Sequence, residues 1–122
     1  MSPHRLVQLL AWLCLVAIVA LSLVKPSLRP VTILPHNLEH AAIFALTGCA
    51  VGLGYPGHAL RNMLCLTLFA GAIELAQLYV PGRHARWIDF FVDAAAACAG
   101  VVLAWLAWRV FGRAVPHETA AR

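Results

Sequence analysis

Hydrophobic positions along this chain come in four long runs, and most polar residues fall between them. The first run, residues 6–24, has only Gln8 and Ser22 as polar members and stops at Lys25-Pro26. A proline-rich connector, residues 25–35, leads into the second run at 37–54, which the turn Tyr55-Pro56-Gly57 closes. The third occupies 60–80 and ends at Pro81-Gly82. The fourth covers 87–111, from the interfacial Trp87 to a polar tail that opens with Arg113. As helices, runs of this length cross a hydrocarbon layer about 30 Å thick. The pattern therefore predicts an all-α polytopic membrane protein: one membrane domain over residues 1–122, with four transmembrane helices in a small bundle.

Composition strengthens that reading. Apolar residues make up 62% of the chain and charged residues 11%, against about 25% charged in an ordinary soluble domain. Once the four runs are subtracted, no piece is long enough for a separate soluble domain. A cleaved signal peptide is the competing reading of the first run, which follows His4 and Arg5 and carries small residues at Ala20 and Ser22. The run exceeds the usual apolar core of about 7 to 15 residues, which favours a retained span.

The net charge of +4 comes from basic residues scattered at the ends of the runs. It forms no basic patch interleaved with aromatics, so no nucleic-acid footprint is expected. Anionic headgroups of membrane lipids are the expected counter-charge. Four spans put both termini on one side. Arg5, Arg61, Arg109, Arg113 and Arg122 then oppose Lys25, Arg29, Arg83 and Arg86, five against four. Under the positive-inside rule this favours cytoplasmic termini in a bacterial plasma (inner) membrane.

Cys14, Cys49, Cys65 and Cys98 fall one per run with no C-x-x-C spacing, and read as small packing residues. Gly48 with Gly52, and Ala96 with Gly100 and Ala104, are spaced for close helix approach in lipid. His4, His58, His84 and His117 lie at ends or loops, where an interfacial role is expected. Nothing in the sequence calls for a cofactor.

The informative residues are the ionisable ones that interrupt the apolar runs, because a charge at the centre of a membrane helix costs about 2.5 to 3.5 kcal/mol on insertion scales. Glu74 and Gln77, three apart, share a face near the end of the third run. Asp89 and Asp93 share a face at the start of the fourth, and His36, Glu39 and His40 open the second. With alternating spans, the second begins, the third ends and the fourth begins on one side. His40, Glu74, Gln77, Asp89 and Asp93 should then converge beneath one leaflet, within reach of Arg83. Mutual satisfaction of Glu74, Asp93, Arg83 and His40 would make the cluster merely structural. Buried ion pairs are weak evidence for stability, however, and ionisable groups inside a membrane point first to function.

These residues carry a family resemblance. Leu38-Glu39-His40 followed by Phe44, then Glu74-Leu75-Ala76-Gln77-Leu78-Tyr79-Val80-Pro81-Gly82-Arg83, then Asp89 and Asp93, resembles the VanZ-like family of small membrane proteins over residues 36–100. In that family a histidine opens one span, a Glu-x-x-Gln pair ends the next before Pro-Gly-Arg, and an Asp followed four on by Asn or Asp starts the last. The chain departs from the pattern at His36-Asn37, where Asp-Lys is common, and at Ala96, where a glycine is common. The resemblance implies a protein of the cell envelope and a link to glycopeptide (teicoplanin) resistance.

Three kinds of function fit the cluster. A binding protein would hold a lipid headgroup, a lipid-linked saccharide or a cell-wall precursor, with Arg83 on phosphate or carboxylate and Arg86 or Lys25 steering. His40, Glu74, Gln77 and Asp93 would then meet hydroxyl or amide groups. An enzyme acting on a lipid-linked substrate would use His40 or Glu74 as general base. A zinc version of the enzyme follows from His36-Asn37-Leu38-Glu39-His40, an H-x-x-E-H pattern in which His36, His40 and Glu74 or Asp93 would be ligands. The third kind is a structural subunit that partners another envelope protein through its Gly/Ala faces.

Overall fold

A computed structural model describes residues 1–28 and 33–112; Arg29, Arg113, His117 and Arg122 lie outside the described residues. Four helices account for most of it: α1 (Pro3–Leu23), α2 (His36–Gly54), α3 (Ala59–Gln77) and α4 (Trp87–Phe111). The described residues contain no strand.

Local chemistry sets the ends of these helices. The Ser2 side chain accepts from the Arg5 amide at 3.4 Å, and Pro3 sits in the first turn, where its missing N–H would be unpaired anyway. This extends α1 three residues before the expected start. α3 ends at Gln77, short of the expected 80, and continues in tighter turns whose amides bond three residues back: Leu78 to Leu75, Tyr79 to Ala76 and Val80 to Gln77. Pro81 explains the loosening, because a proline pushes the residue before it away from helical backbone. Gly82 then takes φ +82°, a conformation that side chains with a Cβ rarely adopt.

The helices run up and down, and α2 packs most extensively against α4. Small residues make that contact close. A Cβ at Gly48 would run into the Ala97 backbone, and one at Gly100 into the Ala45 carbonyl. At Gly52 it would stand 2.6 Å from the Ala104 Cβ. The expected Gly/Ala faces thus meet each other, with Ala97 at the seam beside Gly100 and Ala104. α1 lies on α2 and α3 lies on α4, around a core that includes Ile18, Phe44, Leu66, Ile73 and Val101.

The outward surface is apolar, with Trp12, Leu13, Val16, Leu68, Leu103 and Val110 all exposed. An apolar exterior around a partly polar interior suits lipid as solvent. α1, α3 and α4 are long and apolar enough to cross a membrane; α2 is not. The expectation of four such helices is corrected to three, and the reason is local. The opening turn of α2 holds His36, Asn37, Glu39 and His40, which leaves too short an apolar stretch behind it.

Candidate functional site

The up-and-down order brings the end of α1, the start of α2, the end of α3 and the start of α4 to one end of the bundle. His40, one turn into α2, meets Asp93 on α4, with Nδ1 3.2 Å from Oδ2. Both side chains are buried, and Asp93 is fully enclosed. The Gly48–Ala97 contact, two turns further along α2, brings the two backbones near enough for this pair to form. The His40 ring also stacks against Phe44, at 6.4 Å between centroids.

Glu74 and Gln77 are buried side by side on α3. Glu74 Oε2 accepts from the backbone N–H of Arg86 at 3.3 Å. Arg86 is the N-cap of α4, and its own N–H, which no intrahelical carbonyl can meet, finds its acceptor in an acid of the neighbouring helix. A carboxylate there also complements the positive end of the α4 dipole.

Three buried polar atoms at this end have no hydrogen-bond partner among the described residues: Glu74 Oε1, Gln77 Nε2 and Asp93 Oδ1. Buried polar groups in folded proteins are paired in the great majority of cases, so three orphans at one end of a small bundle call for an explanation. Cavities border the same place. One of about 440 Å³ between α1 and α2 is lined by Ser22, Glu39, His40 and Phe44. A second, about 310 Å³, lies between α3 and α4 and is lined by Glu74, Arg86 and Phe90. A third, about 490 Å³, is lined by Gln77, Arg83, His84, Arg86 and Asp89, with His36 at its rim.

The expected cluster is therefore largely assembled. His40 and Asp93 touch, Glu74 and Gln77 are buried on α3 at the same end of the bundle, and half-buried Asp89 borders the same cleft as Gln77. Arg83 has a role that sequence reasoning did not foresee. Its Nη2 donates to the carbonyls of Leu21 at 2.9 Å and Val24 at 3.1 Å, and its Nε donates to Val24 at 3.2 Å. These bonds take up carbonyls that the end of α1 leaves without intrahelical partners, and place a cation at the negative end of its dipole. Arg83 thus ties α1 to the loop between α3 and α4 as well as lining the cleft.

The zinc set His36, His40 and Glu74 is not assembled. Among the described residues no three His, Cys, Asp or Glu side chains are grouped to hold a metal. The rings of His36 and His40 lie 4.4 Å apart, but His36 is exposed at the rim while His40 Nδ1 faces Asp93.

Sequence reasoning also missed the backbone amide of Arg86 as a site component. The available signal was a helix start at Trp87, because the amides at a helix start have no intrahelical acceptor. At the opposite end the polar groups are paired: Gln8 Nε2 donates to Gly54 O at 3.0 Å, Trp12 Nε1 to the Tyr55 hydroxyl at 3.1 Å, and Asn62 Nδ2 to Tyr55 O at 3.0 Å.

Comparison with protein-family models, with curated proteins and with solved structures finds no match to the chain.

Proposed function

We propose that this chain is a VanZ-like protein of the bacterial plasma membrane with four spans and cytoplasmic termini. Its polar end binds a lipid headgroup, a lipid-linked saccharide or a cell-wall precursor, by which route glycopeptide resistance would arise. In this reading α2 is the fourth span, its polar opening turn shielded by its neighbours. Burial of His40 against Asp93 supports that placement, since a polar turn in hydrocarbon is tolerated when it faces the bundle.

One observation carries the binding reading: Gln77, whose buried Nε2 is unpartnered, lines a cleft of about 490 Å³ whose wall includes Arg83, His84 and Arg86, and Glu74, whose Oε1 is unpartnered, lines a cavity of about 310 Å³ that shares Arg86 with it. A volume of that size lies in the usual ligand range of roughly 300 to 1,000 Å³. Its basic wall suits a phosphate or carboxylate, and the buried end offers hydrogen bonds to polar groups behind it. Arg86 is the better probe of the anion contact, because Arg83 also holds α1.

The test is the lipid that remains bound through purification. Wild-type protein should carry one anionic lipid or lipid-linked class enriched over its share of the source membrane, and Arg86→Ala should lose that enrichment while inserting normally. Bound lipid that mirrors the membrane in both proteins would refute the reading. The His40–Asp93 pair favours a second one, an enzyme in which Asp93 orients His40 as general base. That version requires turnover of the retained lipid.

A further inference from the structure

The unpartnered atoms restrict what the ligand is. Glu74 Oε1 can only accept a hydrogen bond as a carboxylate oxygen, and Gln77 Nε2 can only donate. The two side chains are three residues apart on one face of α3, and both are buried. Glu74 borders the cavity between α3 and α4 and Gln77 the larger cleft, while Arg86 lines both.

A phosphate oxygen would pair with Gln77 and leave Glu74 facing another anion. An ammonium group would pair with Glu74 and, with the phosphate of the same headgroup held on Arg86, leave Gln77 unmet, and a choline headgroup has no N–H to offer Glu74. A hydroxyl donates and accepts through one oxygen, so it meets both needs at once. Arg86, exposed and lining both cavities, then faces the anionic part of the same molecule.

We infer that the pocket selects a hydroxyl-bearing phosphate headgroup, of the glycerol-phosphate, inositol-phosphate or sugar-phosphate class. The hydroxyl lies between Glu74 and Gln77, and the phosphate lies against Arg86. The inference rests on the binding reading above and narrows it. Phosphatidate, ethanolamine and choline headgroups are disfavoured.

Native mass spectrometry of the purified full chain tests this. The protein is placed in phosphatidylcholine nanodiscs containing a minor fraction of phosphatidylglycerol, phosphatidylinositol or phosphatidate. Wild type should retain the first two about tenfold better than phosphatidate, the gain expected when two further hydrogen bonds form. Gln77→Leu should reduce the preference to about twofold or less. Glu74→Gln presents an amide N–H where Oε1 accepted, so it should shift the preference toward phosphatidate.

Equal retention of all three lipids by wild type, with Arg86→Ala weakening all of them, overturns the hydroxyl inference: water alone then fills the buried atoms, while anion binding stands. No retention above phosphatidylcholine, and no effect of Arg86→Ala, overturns the binding reading itself. The wild-type comparison is decisive even if a variant fails to fold.

Discussion

The two interfaces of α4 are built on opposite principles. Against α2 it presents Ala97, Gly100 and Ala104, and the facing glycines leave no room for a Cβ. Against α3, at the polar end, it leaves a cavity of about 310 Å³ beside a carboxylate with one oxygen unpaired. The first interface is filled and holds the bundle together through dispersion and close backbone approach. The second retains space and unmet hydrogen-bonding capacity, which is costly for stability and useful only if something else fills it. Closeness at one side of α4 makes openness at the other tolerable.

Overfilling the closed seam should have the largest effect. Gly48→Val meets the Ala97 backbone, which cannot rotate aside, and should cost about 3 kcal/mol. A thermal-unfolding series in detergent would show this, with Gly71→Ala as the control. A Cβ at Gly71 finds only the Phe90 ring at 3.5 Å, an ordinary contact, and should change stability by less than about 0.5 kcal/mol. If the two substitutions destabilise equally, the contrast between the interfaces is lost.

His40→Ala should come next. It leaves Asp93 Oδ2 buried without its partner at 3.2 Å, at a cost of about 1.5 to 3 kcal/mol. The double variant His40→Leu/Asp93→Leu should recover most of that loss, because burying two apolar groups costs less than burying one unpaired polar group. A double variant as weak as the single would show that the pair does more than satisfy itself. Apart from the Gly71→Ala control, the smallest effect belongs to Arg83→Ala, about 1 kcal/mol, since its bonds to Leu21 and Val24 are partly open to solvent. Its signature is local: amide hydrogen exchange should quicken in the last turns of α1 and leave the α2–α4 seam unchanged.

Much of this arrangement could be read from the linear pattern. Helix positions follow from the apolar runs and their Pro/Gly punctuation, and alternation alone sends His40, Glu74, Gln77 and Asp93 to one end. Contact partners were less legible. Arg83 lies in a segment that passes near both the acids and the end of α1. Exposed carbonyls at a helix terminus leave no mark in a residue pattern, so its bonds to α1 could not be anticipated. The cap that Glu74 places on α4 was hidden for the same reason, as its donor is a backbone amide. An H-x-x-E-H spacing likewise puts two histidines on one helix face, but the ring directions that would share a metal depend on what α4 presents there.

By itself, then, the sequence determined the helices, their order and the end of the bundle where ionisable groups gather, because apolar run length and chain alternation act along one dimension. Tertiary structure alone decided which buried atoms are paired and which are left open. Pairing depends on the separation and angle of two helices to within a fraction of an ångström, and in this bundle the Gly48–Ala97 and Gly100–Ala45 approaches set that separation.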